Sequence, residues 1–319
     1  MKNIALVFGG FSKEAEISEK SANQAKIALE GSDYNIFPVK ISKEKWCHVA
    51  ADGKEYAVDK NDFSITIDGK KITFSKALNL IHGAPGENGV LGGYFELIGL
   101  PYTSSGVLTS ALTMNKNWTT RFLSQAGIRT APSFVVYRGD KSSDYQPKAS
   151  FPCFVKPNNG GSSVGTFKVK NIEELENALK EAFKHDDEII VEEFIQGREF
   201  TCGVMGFDGT IKALPLTEVK PKHEFFDFAD KYGDDGAAEE TPANLSAELT
   251  KECQSIAEKA FKIVRCRNVS RIDFILKGND FYLIEVNTIP GMSAKSILPQ
   301  QAKAVGISFK DLLVKIIEG

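Results

Sequence analysis

Ser270–Gly291 reads S-R-I-D-F-I-L-K-G-N-D-F-Y-L-I-E-V-N-T-I-P-G. Ser270–Leu276 and Phe281–Asn287 each alternate with period two, and Lys277-Gly278-Asn279-Asp280 between them is turn chemistry, so the stretch predicts a β-hairpin. Side chains two positions apart on a strand share a face. Arg271 and Asp273 therefore sit together on the first strand and Glu285 and Asn287 on the second, and a loop of this length can set the two pairs opposite each other. Oxygen ligands of this hard type suit Mg²⁺, which keeps positions open for substrate phosphates, and an adjacent guanidinium suits a phosphate or a developing oxyanion. A solvated hairpin face that happens to carry charge is the competing reading of this stretch alone, and the rest of the chain decides between them.

The chain has 319 residues, which predicts two or three packed lobes. With 42% hydrophobic and 25% charged residues and a net charge of −3, both signs mixed, nothing points to nucleic acid or an anionic membrane as partner. No run of about 18 apolar residues occurs, and the N-terminus enters a strand without the apolar core of a signal peptide. The five cysteines, Cys47, Cys153, Cys202, Cys253 and Cys266, form no CxxC pair, which suggests a reducing cytoplasm and small buried hydrophobes instead of disulfides or a zinc site.

Outward from the hairpin, Lys2–Phe8 predicts a buried parallel strand ending in Gly9-Gly10, Glu16–Glu30 a helix and Asn35–Ile41 a second strand, a βαβ unit. Such a unit binds ligands at the carboxyl ends of its strands, where Glu14 and Glu16 are the charges. Glu16 could hold a substrate ammonium or merely favour the helix N-terminus. Residues 43–76 read as peripheral, with turns at Asp52-Gly53 and Asp68-Gly69. Strand Ala77–Ile81 delivers H-G-A-P-G-E-N-G-V-L-G-G at His82–Gly93, again a binding edge, and a short helix follows at Tyr94–Gly99.

Leu108–Gly127 reads as one helix carrying Lys116, and Phe134–Tyr137 and Cys153–Lys156 read as strands. In Phe154–Gly165, F-V-K-P-N-N-G-G-S-S-V-G, a strand lysine precedes a Gly/Ser loop, a grip for phosphate. The order is not that of a kinase or a P-loop, and GxGxxG is absent. Strand Thr166–Val169 follows, then helix Ile172–His185, capped by Asn171. Ile189–Ile195 offers Glu192, Glu193 and backbone edges to an adenine and ribose, or serves as a hinge. Phe200–Phe207 is a strand, Val219–Pro242 a long irregular stretch with Lys231 and Tyr232, and Leu245–Val264 a helix.

The order of these motifs resembles one family, the D-alanine:D-alanine ligases of peptidoglycan synthesis within the ATP-grasp superfamily. The matching segments are G-G-F-S-K-E-A-E-I-S at 9–18, H-G at 82–83, G-E-N-G at 86–89, G-L-P-Y-T-S-S-G at 99–106 and M-N-K at 114–116. They continue with V-K-P-N-N-G-G-S-S-V-G at 155–165, G-R-E-F-T at 197–201, D-K-Y at 230–232, R-I-D-F at 271–274 and E-V-N-T-I-P-G-M-S at 285–293.

The resemblance implies an α/β, three-lobed ATP-grasp fold: an N-terminal parallel-sheet lobe at 1–100, a central lobe at 101–190 and a C-terminal lobe at 191–319, with ATP between the last two. It implies that ATP phosphorylates one D-alanine carboxylate and that the amine of a second attacks the acylphosphate. Asp273, Glu285 and Asn287 then hold two Mg²⁺ (or Mn²⁺). Lys116 and Lys156 take the α- and β-phosphates and Lys231 the γ-phosphate, with Ser163 beside them. Glu192 and Glu199 lie at adenine and ribose, with the Glu193–Ile195 backbone at the base.

The resemblance further implies that Arg271 and the Gly291 N–H form the oxyanion site, with the following roles for the other residues. Glu16 pairs with the first ammonium, His82 belongs to the substrate site, and Ser296 with Ile297 receives the second substrate. Ser162 and Tyr232, with Glu16, close a mobile loop over the site. Lys295 and Phe226 and Phe228 depart from the family's usual residues. A cytoplasmic homodimer is the implied state. Tyr232 favours an amine acceptor; a D-alanine:D-lactate ligase or another ATP-grasp carboxylate ligase is the alternative, and a nucleotide-binding regulator is disfavoured by the oxyanion arginine.

Overall fold

The computed structural model describes residues 1–161, 163–220 and 238–319. The apolar run at the start forms β1 (Lys2–Gly9), followed by α1 (Ala15–Ala28), β2 (Tyr34–Ile41), β3 (Trp46–Val49), β4 (Glu55–Asp59), β5 (Ser64–Ile67), β6 (Lys70–Ile72) and β7 (Lys76–Asn79). The sheet order is β6-β5-β4-β3-β2-β1-β7, with β2 and β7 parallel to β1. The stretch expected to be peripheral, 43–76, thus supplies the antiparallel edge of the same sheet, because a short connection before each of β3, β4, β5 and β6 folds that strand back on the last. Gly9 has φ +98°, and a Cβ there would lie 2.6 Å from the Ile41 carbonyl oxygen, so the turn that leaves β1 for α1 requires glycine. Ser18 Oγ fixes α1 to this edge, donating to Leu80 O (2.8 Å) and accepting from Gly9 N (3.0 Å).

Next come α2 (Val90–Leu97), α3 (Val107–Met114) and α4 (Lys116–Gln125). The single helix expected over 108–127 is broken at Asn115, which leaves helical geometry (φ −88°, ψ 106°) and accepts from Trp118 N through its side chain. The Lys116 N–H donates instead to Asn158 O at 3.0 Å. An asparagine that can cap a new helix thereby overrides the continuing apolar pattern and places Lys116 at a helix start.

The central sheet contains β8 (Ser133–Tyr137), β9 (Cys153–Pro157), β10 (Phe167–Val169) and β11 (Glu188–Glu193) in the order β10-β9-β11-β8, with the short α5 (Ser142–Tyr145) at its margin and α6 (Ile172–Ala182) packed on it. Asn171 caps α6 by accepting from Glu174 N, and Leu175, Ala178, Leu179 and Ala182 bury its apolar face against Val136, Val155, Val169, Ile189 and Val191.

The last sheet contains β12 (Arg198–Phe207), β13 (Thr210–Ala213), β14 (Thr217–Lys220), β15 (Ala238–Glu240), β16 (Asn268–Lys277) and β17 (Asp280–Asn287), ordered β15-β14-β12-β16-β17 with β13 beside β12. Helix α7 (Ala247–Ile263), capped by Ser246, buries Cys253, Ala257 and Phe261 with Phe200, Phe274 and Phe281. The closing helices α8 (Ile297–Ala304) and α9 (Phe309–Glu318) share one apolar core with the first sheet: Leu298, Ala302, Leu312 and Ile316 pack with Ile4, Leu6, Ala25 and Leu29.

Gln301 ties α8 to the last sheet. It is fully buried, accepts from Gly203 N (2.8 Å) and donates to Thr201 O (2.9 Å) and Thr217 Oγ1 (3.0 Å). Truncation in Gln301→Ala removes the partner of two buried backbone groups, so stability should fall by about 2–4 kcal/mol. A urea midpoint equal to that of the parent chain would show that this amide does not hold α8 in place.

Candidate active site

The hairpin forms as β16 and β17, with Arg271 opposite Asn287, Asp273 opposite Glu285, and a register irregularity immediately after Asp273. Arg271 donates to Asp273 through Nε (2.9 Å) and Nη2 (2.8 Å). The same carboxylate accepts from Thr201 Oγ1 (2.6 Å), contributed by the neighbouring strand β12, and from Asn287 Nδ2 (3.0 Å). Lys116, at the first turn of α4, pairs with Glu285 at 2.8 Å. Burial works against the Lys116 ammonium, but the carboxylates around it, Glu285 foremost with Glu192 and Glu87, together outweigh it and raise the lysine's pKa.

Two cavities meet at this hairpin. A cleft between the central and last sheets is lined by Phe154, Lys156, Gly160, Gly161, Ser163, Glu192, Glu193, Ile195, Glu199 and Asp273. A polar cavity of about 430 Å³ opens toward the first sheet and is lined by Glu14, His82, Glu87, Asn287, Gly291, Ser293 and Ser296. Lys116, Gly160, Gly161, Arg271, Glu285 and Ile297 line both. Within the cleft Lys156 forms a buried ion pair with Glu192 (2.9 Å). Ser163 adopts φ +58°, a left-handed conformation that costs a non-glycine residue energy and turns the Gly/Ser loop sharply.

At the far end of the polar cavity, Glu16, expected beside a substrate ammonium, is exposed on α1 and lines neither cavity. Glu14 does line it. A Cβ on Gly83 or on Gly161 would lie 3.1 or 3.2 Å from Glu14 Oε2, so this carboxylate stands between the glycine loops of the first and central sheets. Ser12 orders the approach, accepting from Glu14 N and donating to His82 O, both at 3.2 Å.

His82 is buried, with Nδ1 3.0 Å from Ile289 O, and its Nε2 has no hydrogen-bond partner among the described residues. A neutral ring that donates through Nδ1 presents Nε2 as an acceptor; only the imidazolium donates from both. Burial lowers the His82 pKa, with Glu14 opposing. Glu87 accepts from Gly83 N (3.0 Å) and Ile289 N (3.5 Å), yet burial and then the Glu14 charge push its carboxyl up to about 7.

At the other end Ser296 Oγ accepts from Ser293 N (3.1 Å) and lies 2.8 Å from Ser293 Oγ, close to the Gly291 backbone. Ser162, Lys231, Tyr232, Phe226 and Phe228 lie outside the described residues. Thr201 was not singled out from the sequence as a site residue, and Glu87 was read only as the glutamate at the mouth of the 82–93 loop, without a role. The signal for the first was its place in G-R-E-F-T, which puts it on β12 directly across from Asp273, and for the second the glycine loop that carries it.

Asp273, Glu285 and Asn287 supply two carboxylates and an amide oxygen on one hairpin face, a donor set that fits a hard divalent cation sharing its coordination with phosphate oxygens and water. Such an ion would draw charge off the phosphates. Lysines and a glycine loop in a cleft between two sheets, joined through a guanidinium to a polar cavity, define an ATP-grasp carboxylate ligase.

Family models agree along the chain: that for the D-ala D-ala ligase N-terminus matches residues 3–105 and that for the D-ala D-ala ligase C-terminus matches 122–318. The D-alanine–D-alanine ligase of Flavobacterium johnsoniae is 46% identical over 321 residues, covering 100% of this chain and 99% of the relative. That of Phocaeicola vulgatus is 40% identical over 320 residues, 99% of this chain and 98% of its own. Among solved structures, the VanG D-Ala:D-Ser ligase from Enterococcus faecalis superposes with TM-score 0.89 at 31% identity over 99% of this chain and 98% of its own. A D-alanine–D-alanine ligase from Bacillus anthracis complexed with ATP gives 0.79 at 30% identity, covering 100% and 97%. The chain belongs to the D-alanine–D-alanine ligase family.

Glu87 makes stability depend on pH. The folded carboxyl keeps its proton to about 7, whereas the unfolded one releases it near 4.5. Between those values the folded state binds the extra proton, so the Glu87 contribution falls as pH rises. Glu87→Gln, which cannot ionise, should therefore gain in urea midpoint relative to the parent from about pH 5 to about pH 8; a difference independent of pH, or one of opposite slope, contradicts a buried raised carboxyl.

Proposed function

We propose that this protein joins two D-alanines into D-alanyl-D-alanine, using ATP and passing through an acylphosphate, in the assembly of peptidoglycan precursors. The observation that carries the reading is the meeting of the nucleotide cleft and the polar cavity at Lys116, Arg271 and Glu285. Carboxylate and amine do not condense in water until the carboxyl oxygen becomes a leaving group, and this junction is where a γ-phosphate from one side reaches a carboxylate from the other.

Lys116 and Lys156 supply charge for the α- and β-phosphates, and Lys231 for the γ-phosphate. The Glu193–Ile195 segment and Glu199 receive the base and ribose, with Glu192 behind Lys156. Asp273, Glu285 and Asn287 would hold two Mg²⁺ or Mn²⁺ ions. Arg271 and the Gly291 N–H face the oxyanion of the tetrahedral intermediate. Glu14, in place of Glu16, receives the ammonium of the first D-alanine, with His82 beside it, and Ser296 and Ile297 meet the second substrate. Ser162 and Tyr232 close over the site and keep water from the acylphosphate.

The lobes divide near residues 100 and 190. The chain acts in the cytoplasm as a homodimer, a reading supported by family likeness; no helix among the described residues is long and apolar enough to cross a membrane. Val90, Leu97 and Leu108, exposed on α2 and α3, are apolar surface available to a second copy.

The test is phosphate release from Mg-ATP with D-alanine alone and with added D-lactate or D-serine, with product identification. D-Alanine alone should drive release and yield the dipeptide; release only with a second acceptor would assign a different ligase specificity. In the same assay Glu14→Gln should raise the KM of the first D-alanine at least about tenfold and Glu16→Gln leave it within about twofold, as expected for loss of one charge-assisted hydrogen bond. The reverse pattern would return the role to Glu16.

A further inference from the structure

Strand β15 pairs with β14, with Val219 opposite Glu239 and Glu218 opposite Glu240. Period two therefore puts Val219 and Glu239 on one face of the sheet edge and Glu218 and Glu240 on the other. The second face is closed by its own ion pairs, Glu218 with Arg198 and Glu240 with Lys220, each at 2.7 Å. On the first face Val219 lines the nucleotide cleft and Glu239 lines the polar cavity. Glu239 accepts from Gln300 Nε2 at 3.1 Å, and the same amide donates to Lys295 O at 2.6 Å, so the carboxylate is held beside the turn that carries Ser296. Glu239 is exposed at the sheet edge; desolvation by the surrounding protein raises its pKa, against the Gln300 hydrogen bond and the Arg271 charge.

Among the described residues four carboxylates line this cavity: Glu14, Glu87, Glu239 and Glu285. Glu14 and Glu87 belong to the His82 end, and Glu285 is engaged by Lys116. A cavity that receives two amino acids must receive two amino groups, the second of them close enough to the Arg271 junction to reach the carboxyl carbon of the first. Glu14 serves the first. For the second, Glu239 is the remaining carboxylate, near enough to Arg271 to feel its charge, and Lys295, on the same wall, supplies positive charge for the acceptor's own carboxylate.

We propose that Glu239 receives the ammonium of the second, acceptor amino acid and thereby favours an amine acceptor over a hydroxy acid. The assignment rests on the ligase reading above. A carboxylate gains an ion pair from an incoming ammonium but only a hydrogen bond from a hydroxyl in the same place, so the contact favours D-alanine over D-lactate by charge, independently of Tyr232.

The experiment compares the full-length parent with Glu239→Gln, which retains an oxygen to accept from Gln300, and with Glu240→Gln on the opposite face. Initial rates over a wide D-alanine range resolve two KM values, and D-alanine with D-lactate gives the ratio of dipeptide to depsipeptide. In Glu239→Gln the acceptor KM should rise about tenfold while the KM values of the first D-alanine and ATP stay within about twofold, and the depsipeptide share should increase. Glu240→Gln should behave as the parent. An unchanged acceptor KM and product ratio in Glu239→Gln, or both D-alanine KM values rising together, would overturn the assignment. A parent that forms no dipeptide would instead fell the ligase reading, so the two failures are separable.

Discussion

Asp273 and Glu285 stand directly across from one another on β16 and β17, and two carboxylates so placed repel. The structure depends on how that repulsion is met. Arg271 engages Asp273 with two hydrogen bonds from the same strand, Thr201 adds a third from β12, and Lys116 reaches Glu285 from α4. These contacts draw on three separate parts of the chain. The compensation therefore requires β12 beside β16, α4 above β17, and the break at Asn115 that starts α4 with Lys116. The cations that neutralise the hairpin also stand where the nucleotide cleft and the polar cavity meet, so the residues that make the hairpin stable are the ones proposed above to meet the phosphates and the oxyanion.

The polar cavity follows a second electrostatic rule. Burial favours the neutral forms of Glu87 and His82, and the charge of Glu14 pushes the two in opposite directions, raising the carboxyl and opposing the fall of the imidazole. Both groups are thus shifted toward their neutral forms at the end of the cavity where Glu14 stands, the carboxylate proposed above for the first ammonium. The first sheet delivers all three through the loops after β1 and β7. Its shared core with α8 and α9 fixes those loops against the hairpin, since α8 begins at the turn carrying Ser296.

Much of this was legible in the sequence because strands announce themselves by alternation. The hairpin, and the shared face of Arg271 and Asp273, follow from period two and a short turn, but the register does not: counting back from the turn sets Asp273 opposite Ile284, and it is the irregularity after Asp273 that brings Glu285 and Asn287 across from Asp273 and Arg271. Helices at the site were harder to read. In S-K-E-A-E either glutamate could serve, and only the fold shows that Glu14, at the N-cap of α1, stands against the glycine loops while Glu16, two positions on, is exposed. The break between α3 and α4 was hidden because apolar positions continue through Asn115, and only the contact of Lys116 N with Asn158 O, far along the chain, shows why the helix ends. Residues 43–76 looked peripheral since edge strands that bury little carry a weak apolar signal. The role of Thr201 and the placement of Glu239 depend on strand neighbours that no local pattern specifies.

The central claim is that the hairpin brings a phosphate to a carboxylate, so that the carboxylate oxygen leaves with the phosphate. D-Alanine labelled with ¹⁸O in its carboxyl group, turned over with Mg-ATP, tests this directly by mass spectrometry of the released phosphate. The account predicts one ¹⁸O transferred into phosphate for each dipeptide formed. Phosphate carrying only oxygen from ATP and water, with dipeptide accumulating, would contradict it.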